Sequence, residues 1–252
     1  MQVAIVTGAT SGIGQSAAVQ IAGRGTGVVL TYRSNPEAAL DTVRTIEKHG
    51  GTAVALPLDV GRSDTFPAFH DAVVTALRDT WGRDTFDFLV NNAGIAEAAP
   101  FAQTTAEMFD RLDRVLLRGP YFLTQTLLPL LADGGAIVNV SSNSALPHTT
   151  DPGYSAYATM KGALLVLTRY LAKELSPRGI RVNAIAPGAT RTRLADNAFE
   201  RFPEVIPALA ARTALGRVGE PDDVGIAIAG LLGDEGRWIT AQTIEVSGGF
   251  GL

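Results

Sequence analysis

Short apolar, β-branched runs alternate along the chain with longer segments whose apolar residues recur at helical spacing. The runs cover 3–7, 27–32, 52–58, 86–91, 136–141, 181–186 and 240–246. Most are apolar throughout instead of alternating, which is how strands buried on both faces of a covered parallel sheet read. The helical segments cover 12–23, 36–49, 63–81, 104–131, 154–175 and 221–232. Pro36 and Pro221 stand where a first helical turn tolerates proline. Strand–helix alternation of this kind predicts an α/β fold: a Rossmann-type doubly wound parallel sheet of about seven strands, with helices on both faces. No repeat, low-complexity tract or linker interrupts the pattern, so residues 1–252 read as a single domain. The irregular stretch 188–220 is rich in Pro, Arg and Ala and predicts one or two short helices. Excursions of this length are often binding loops, so the segment at about 189–219 is expected to cover a substrate.

Composition narrows the function classes. With 46% apolar and 18% charged residues, a chain of 252 residues can bury a large core without staples. The absence of cysteine excludes disulfides and thiolate metal sites and fits a reducing compartment. His49, His70 and His148 are scattered without metal-ligand spacing, so no metal is expected. A net charge of −4 with no basic run argues against a nucleic-acid partner. No basic stretch precedes a long apolar run, so neither a signal peptide nor a membrane span is expected, and the localisation reads as cytoplasmic.

The first strand runs into Thr7-Gly8-Ala9-Thr10-Ser11-Gly12-Ile13-Gly14 and then into a helix. One glycine permits a tight turn, one lets the backbone approach a pyrophosphate, and one allows close helix–strand packing. The helix N-terminus adds free N–H groups and the positive end of the dipole. The end of the second strand bears on the choice of dinucleotide. A carboxylate about 20 residues on would bind a ribose 2′-hydroxyl, but the segment reads Leu30-Thr31-Tyr32-Arg33-Ser34-Asn35. Arg33 can pair with a 2′-phosphate instead, helped by Ser34 and Asn35. NADP(H) is therefore favoured over NAD(H).

Taken in order, these motifs resemble the short-chain dehydrogenase/reductase family, and its 3-oxoacyl-carrier-protein reductase-like members in particular. The glycine turn is similar to that family's Thr-Gly-x-x-x-Gly-x-Gly. Asp59-Val60 stands where the family places an acid near the adenine. Asn91-Asn92-Ala93-Gly94 resembles its Asn-Asn-Ala-Gly, and Ser141-Ser142 ends the fifth strand. Tyr157-Ala158-Thr159-Met160-Lys161 is similar to its Tyr-x-x-x-Lys. Pro187-Gly188, with Thr190 and Thr192, resembles the segment that holds the nicotinamide, and 242–249 resembles the family's closing strand. The resemblance implies a cofactor set of Gly8, Thr10, Ser11, Gly12, Ile13, Gly14, Arg33, Ser34, Asp59, Val60, Asn91, Ala93, Gly94, Tyr157, Lys161, Pro187, Gly188, Thr190 and Thr192. It also implies an NADP(H)-dependent oxidoreductase that reduces a ketone or 3-oxoacyl carbonyl to a secondary alcohol. An NAD-dependent alcohol or sugar dehydrogenase, or a non-catalytic nucleotide-binding protein, stays open.

Tyr157 and Lys161 are four apart and share one face of a helix. An ammonium beside a phenol favours the phenolate, so Lys161 is expected to lower the pKa of Tyr157 and make it a usable general acid. Ser142 would hydrogen-bond the substrate oxygen; Ser144, two residues on, is the alternative. Tyr154 is followed four residues later by Ala158, not lysine, and carries no such pair. His148 as a catalytic base is disfavoured. Many family members carry an asparagine where this chain has Leu116, in Val115-Leu116-Leu117-Arg118-Gly119-Pro120. That leaves hydride transfer intact and puts the usual proton relay through lysine in question. Leu194, Phe199, Phe202, Pro203, Val205 and Ile206 predict an apolar or mixed substrate pocket. The apolar excess of helices 104–131 and 154–175 predicts burial on more than one face, and the resemblance implies a homotetramer.

Overall fold

A computed structural model describes residues 1–252, apart from the side chains of Ala195 and Asp196. Seven parallel strands form one sheet in the order β3-β2-β1-β4-β5-β6-β7. They are β1 (Val3–Val6), β2 (Gly27–Tyr32), β3 (Ala53–Pro57), β4 (Phe86–Asn91), β5 (Leu131–Val140), β6 (Arg181–Pro187) and β7 (Thr243–Val246). The registers are regular except between β4 and β5. There Phe86 faces Leu131 while Phe88 faces Ala136, which takes up the early start of β5.

Two apolar layers clothe the sheet. One packs Ala4, Val6, Val28, Leu30, Val138 and Val140 under α1 (Gly12–Ala22), α2 (Pro36–Lys48) and α9 (Pro221–Leu232). The other packs Val3, Ile5, Val29, Leu89, Ile137 and Val182 under α3 (Phe66–Trp81), α5 (Gly119–Leu127) and α6 (Ser155–Glu174). Successive strand residues point to opposite faces, so a strand feeding both layers must be apolar throughout. That is the pattern the sequence carries.

The expected single helix over 104–131 is broken. It is α4 (Ala106–Asp113), a π-helical turn at Arg114–Arg118, α5 and a 3₁₀ turn at Leu128–Leu130. Two residues account for the break. Gly119 donates its N–H to the carbonyl of Arg114, a π-type bond. Pro120 has no N–H with which to continue the α-helical ladder. A Cβ on Gly119 would lie 2.4 Å from the Val60 carbonyl oxygen, so the helix approaches the loop after β3 only because that residue is glycine. The stretch after β6 holds α7 (Leu194–Arg201) and α8 (Ile206–Ala211), in line with the expected short helices. No helix among the described residues is long and apolar enough to cross a membrane.

Candidate active site

Strand order reverses between β1 and β4, and the carboxyl ends of the strands open there into a cavity of about 850 Å³. Such switch points are where open α/β sheets bind ligands. The catalytic and cofactor residues expected from the sequence all line this cavity except Asn91, and of the residues expected in the substrate pocket Pro203 and Ile206 stay outside its lining.

The glycine turn forms one end. Gly12 has φ +56°, a backbone conformation that side chains disfavour. At Gly14 an added Cβ would lie 2.3 Å from Asn92 Nδ2 and 2.4 Å from the Gly8 carbonyl oxygen. The asparagine amide in turn donates to the carbonyls of Thr7 (2.8 Å) and Gly8 (3.1 Å) and holds the turn in shape. Ser11 makes no side-chain cap on α1, and the first turn carries no acid. Its N–H groups and the dipole therefore offer a cradle for anionic oxygens. The glycines, the uncapped helix and Arg33 together fit a dinucleotide phosphate. Arg33 and Ser34 stand in the cavity beside Tyr32. Asn35 is partly spent, because its Oδ1 accepts from Ala38 N (3.0 Å) and caps α2. The Asp59 carboxylate accepts from Gly61 N at 2.9 Å and shapes the adjoining turn.

Asn91 is a correction. It is buried behind the cavity, where its amide donates to Thr124 Oγ1 (3.0 Å) and Asn139 Oδ1 (2.9 Å). Asn139 donates onward to Thr168 Oγ1 at 2.9 Å. This buried chain of hydrogen bonds ties β4 and β5 to α5 and α6. The neighbouring Asn92 is the one that touches the cavity. Strand periodicity alone cannot say which of two adjacent asparagines faces a ligand once the strand has ended.

The other end of the cavity holds Ser142, Tyr157 and Lys161. Two bonds pin α6 to the end of β5. Ser141 Oγ donates to the Lys161 carbonyl at 2.8 Å, and Lys161 Nζ donates to the Val140 carbonyl at 2.7 Å. Lys161 Nζ lies 5.9 Å from the centroid of the Tyr157 ring. The Tyr157 hydroxyl is hydrogen-bonded to Ser142, whose Oγ also accepts from Ser144 N at 3.2 Å. Between the two serines, the partner of the tyrosine is Ser142.

The expected lowering of the Tyr157 pKa is not what this environment produces. Burial pushes the phenol up to about 12; the Ser142 hydrogen bond pulls it down and Tyr154 adds to the rise. Burial likewise pulls the Lys161 ammonium down to about 8. Removal from water costs the charged form of each group, the phenolate of Tyr157 and the ammonium of Lys161. Leu116 stands in the π-helical turn, fully buried with Met108, Leu112 and Met160 against Tyr157. Its Cδ2 and Lys161 Nζ both border the space above Gly94, at 3.3 and 3.7 Å from where a Cβ would stand.

Apolar residues of the segment from α7 through α8 close the substrate side: Leu194, Phe199, Phe202, Val205 and Leu209. Sequence reasoning missed Asp151, Arg212 and Phe250, which complete this wall. Nothing local marks them, since the tail and the end of α8 meet only in the fold. His148 is instead bound to Glu245 on β7, at 3.2 Å. No cluster of metal-ligating side chains occurs among the described residues.

Comparison with known proteins agrees with this geometry. A family model described as enoyl-(acyl carrier protein) reductase matches residues 8–251. The chain is 36% identical over 252 residues to 3β-hydroxysteroid dehydrogenase 1 of Eggerthella lenta, covering 98% of this chain and 93% of that protein. It is similar in structure to the reductase LugOII, which catalyses keto-reduction at C1 during lugdunomycin biosynthesis. The TM-score is 0.93 and the identity 37%, over 100% of this chain and 98% of that one. The angucycline C-6 ketoreductase LanV, with bound NADP, gives a TM-score of 0.94 at 34% identity, over 99% of this chain and 95% of that one.

Proposed function

The chain belongs to the short-chain dehydrogenase/reductase family and is an oxidoreductase, and on that premise we propose that it is an NADP(H)-dependent ketoreductase that reduces a bulky cyclic ketone to a secondary alcohol. The observation that carries this reading is that Ser142, Tyr157 and Lys161 line the same cavity as the glycine turn and Arg33. The NADP bound to LanV supports the cofactor. Relatives that act on a hydroxysteroid or an angucycline support the substrate type.

Bound along the cavity, the reduced nicotinamide would supply the hydride. Gly8, Thr10, Ser11, Gly12, Ile13 and Gly14 would hold the diphosphate, and Arg33 and Ser34 the 2′-phosphate. Asp59 and Val60 would flank the adenine. Ala93, Gly94, Pro187, Gly188, Thr190 and Thr192 would line the nicotinamide end. Ser142 would orient the substrate carbonyl by a hydrogen bond to its oxygen. Tyr157 would give its hydroxyl proton to that oxygen as the new C–H bond forms. Lys161, fixed by Val140, would stabilise the phenolate left behind. A proton transfer that must overcome a pKa of about 12 needs that help, so the ammonium state of Lys161 matters to the rate.

The same reading carries a homotetramer in the cytoplasm. In the single chain Tyr121 of α5 and Val166 and Tyr170 of α6 stay exposed, an apolar surface that a second copy would cover. Light scattering on a sizing column tests it, and a clean monomer would refute it. The function is tested by NADPH oxidation across ketoesters, acyl thioesters, cyclic ketones and aldehydes. Turnover of cyclic ketones that is lost in Tyr157→Phe is expected. A strong preference for NADH would overturn the cofactor. Equal slow turnover by both proteins would point to a nucleotide-binding protein without this activity.

A further inference from the structure

We infer that Asp151 and Arg212 form a recognition pair for a neutral hydroxyl group on the substrate, remote from the reacting carbonyl. The inference rests on the ketoreductase reading and adds what that reading leaves open, the polar chemistry of the substrate.

The pair lines the substrate side of the cavity together with the apolar residues of α7 and α8, Arg212 directly following α8. Arg212 Nη1 lies 3.1 Å from Asp151 Oδ1, and both side chains are part-exposed, at 47% and 38%. The guanidinium covers the ring of Phe250, 4.4 Å from its centroid. Its backbone is held too. The Arg212 carbonyl accepts from Gly251 N (2.8 Å), Ala214 N donates to the Gly249 carbonyl (3.2 Å), and Leu215 N donates to the Gly248 carbonyl (3.1 Å). The C-terminal tail therefore fixes the arginine from below while Asp151 fixes it from the side. Three residues after Asp151 comes Tyr154, whose ring meets that of Tyr157 edge-on at 6.1 Å. The pair and the reacting tyrosine thus belong to one continuous wall.

Charge decides what the pair can read. A guanidinium has five N–H donors, and a carboxylate has free lone pairs beyond one bond. Together they offer a donor beside an acceptor with no net charge. A hydroxyl satisfies both: its O–H donates to Asp151 and its oxygen accepts from Arg212. A carboxylate or phosphate on the substrate would face the Asp151 carboxylate. A purely apolar substrate would strip water from both charged groups and return nothing. Sites built to bond a hydroxyl reject analogues that lack it for this reason.

The test uses the full-length enzyme with NADPH and three ketones: α-tetralone, a ring-hydroxylated α-tetralone and a ring-carboxylated one. The hydroxylated ketone is expected to have about a tenfold lower KM than α-tetralone, the factor that one charge-assisted hydrogen bond represents. Asp151→Asn and Arg212→Ala are expected to bring that ratio close to one, with the change in KM instead of kcat. Dividing each variant by the wild type cancels the intrinsic reactivity of the ketones. Asp151→Asn keeps the side-chain shape, so it carries the test if Arg212→Ala loosens the tail. Preference for the carboxylated ketone, or a ratio unchanged in both variants, would overturn the inference. Absence of turnover with every ketone would count against the ketoreductase reading instead. Calorimetric binding of the same three ketones would then still decide the selectivity of the pair.

Discussion

Lys161 Nζ donates to the main-chain carbonyl of Val140 across 2.7 Å, a bond made wholly inside the protein. It couples α6 to β5 at the point where Tyr157 and Ser142 meet. The bond also fixes an ammonium where burial opposes its charge, with the pKa drawn down to about 8.

The first prediction concerns that cost. The folded pKa of Lys161 is lowered from 10.5 to about 8. The unfolded chain therefore holds the proton more tightly, and stability rises with pH between those two values. Below about 8 the buried charge costs on the order of 3 kcal/mol, against about 1 kcal/mol returned by its hydrogen bond. Lys161→Met is expected to be inactive yet more thermostable than wild type at pH 7, with the difference shrinking toward pH 10. Calorimetric melting at the two pH values checks it; a variant less stable at pH 7 would contradict it.

Activity should follow the same group in the opposite sense. If the ammonium stabilises the phenolate of Tyr157, ketone reduction falls as pH rises through about 8. Tyr157→Phe should lower kcat by about 10²–10⁴. A pH–rate profile of kcat that stays flat from pH 7 to 10 would remove Lys161 from the proton step. Tyr157 itself binds its proton more tightly when folded, since burial raises it to about 12. Its contribution to stability is therefore present below pH 10 and lost from there to about pH 12.

Arg33→Ala is expected to weaken NADPH binding ten- to a hundredfold and leave NADH within about twofold, because only NADPH carries the 2′-phosphate that a charge-assisted bond would hold. Fluorescence titration of both dinucleotides decides. Equal losses for the two would move Arg33 away from the 2′-phosphate.

Asn91→Ala should act on stability and spare the cofactor. It would leave Asn139 and Thr124 short of a partner in a buried network, at about 1–3 kcal/mol. Urea unfolding and NADPH titration on the same variant separate the two effects. A cofactor defect in an equally stable protein would return Asn91 to the binding site.

Most of the fold was legible in the residues themselves because its signals are local. Seven runs become seven strands; those buried on both faces, such as Val3–Val6, are apolar throughout, while the edge strand Thr243–Val246 carries Glu245 and is not fully buried. The glycine turn needs glycine at Gly12 and Gly14 for reasons contained within a few residues and one close approach. Tyr157 and Lys161 share a face because a helix repeats every 3.6 residues. Other features depended on residues that meet only on folding. Whether Asn91 or Asn92 faces the cavity was decided by Thr124 and Asn139. The break at Gly119 was decided by the Val60 carbonyl pressed against it. The rise of the Tyr157 pKa was decided by how completely Leu116, Met108 and Met160 exclude water. The wall of Asp151, Arg212 and Phe250 joins three separate parts of the chain. Periodicity and turn chemistry travel with the sequence, whereas burial and long-range pairing are properties of the packed molecule.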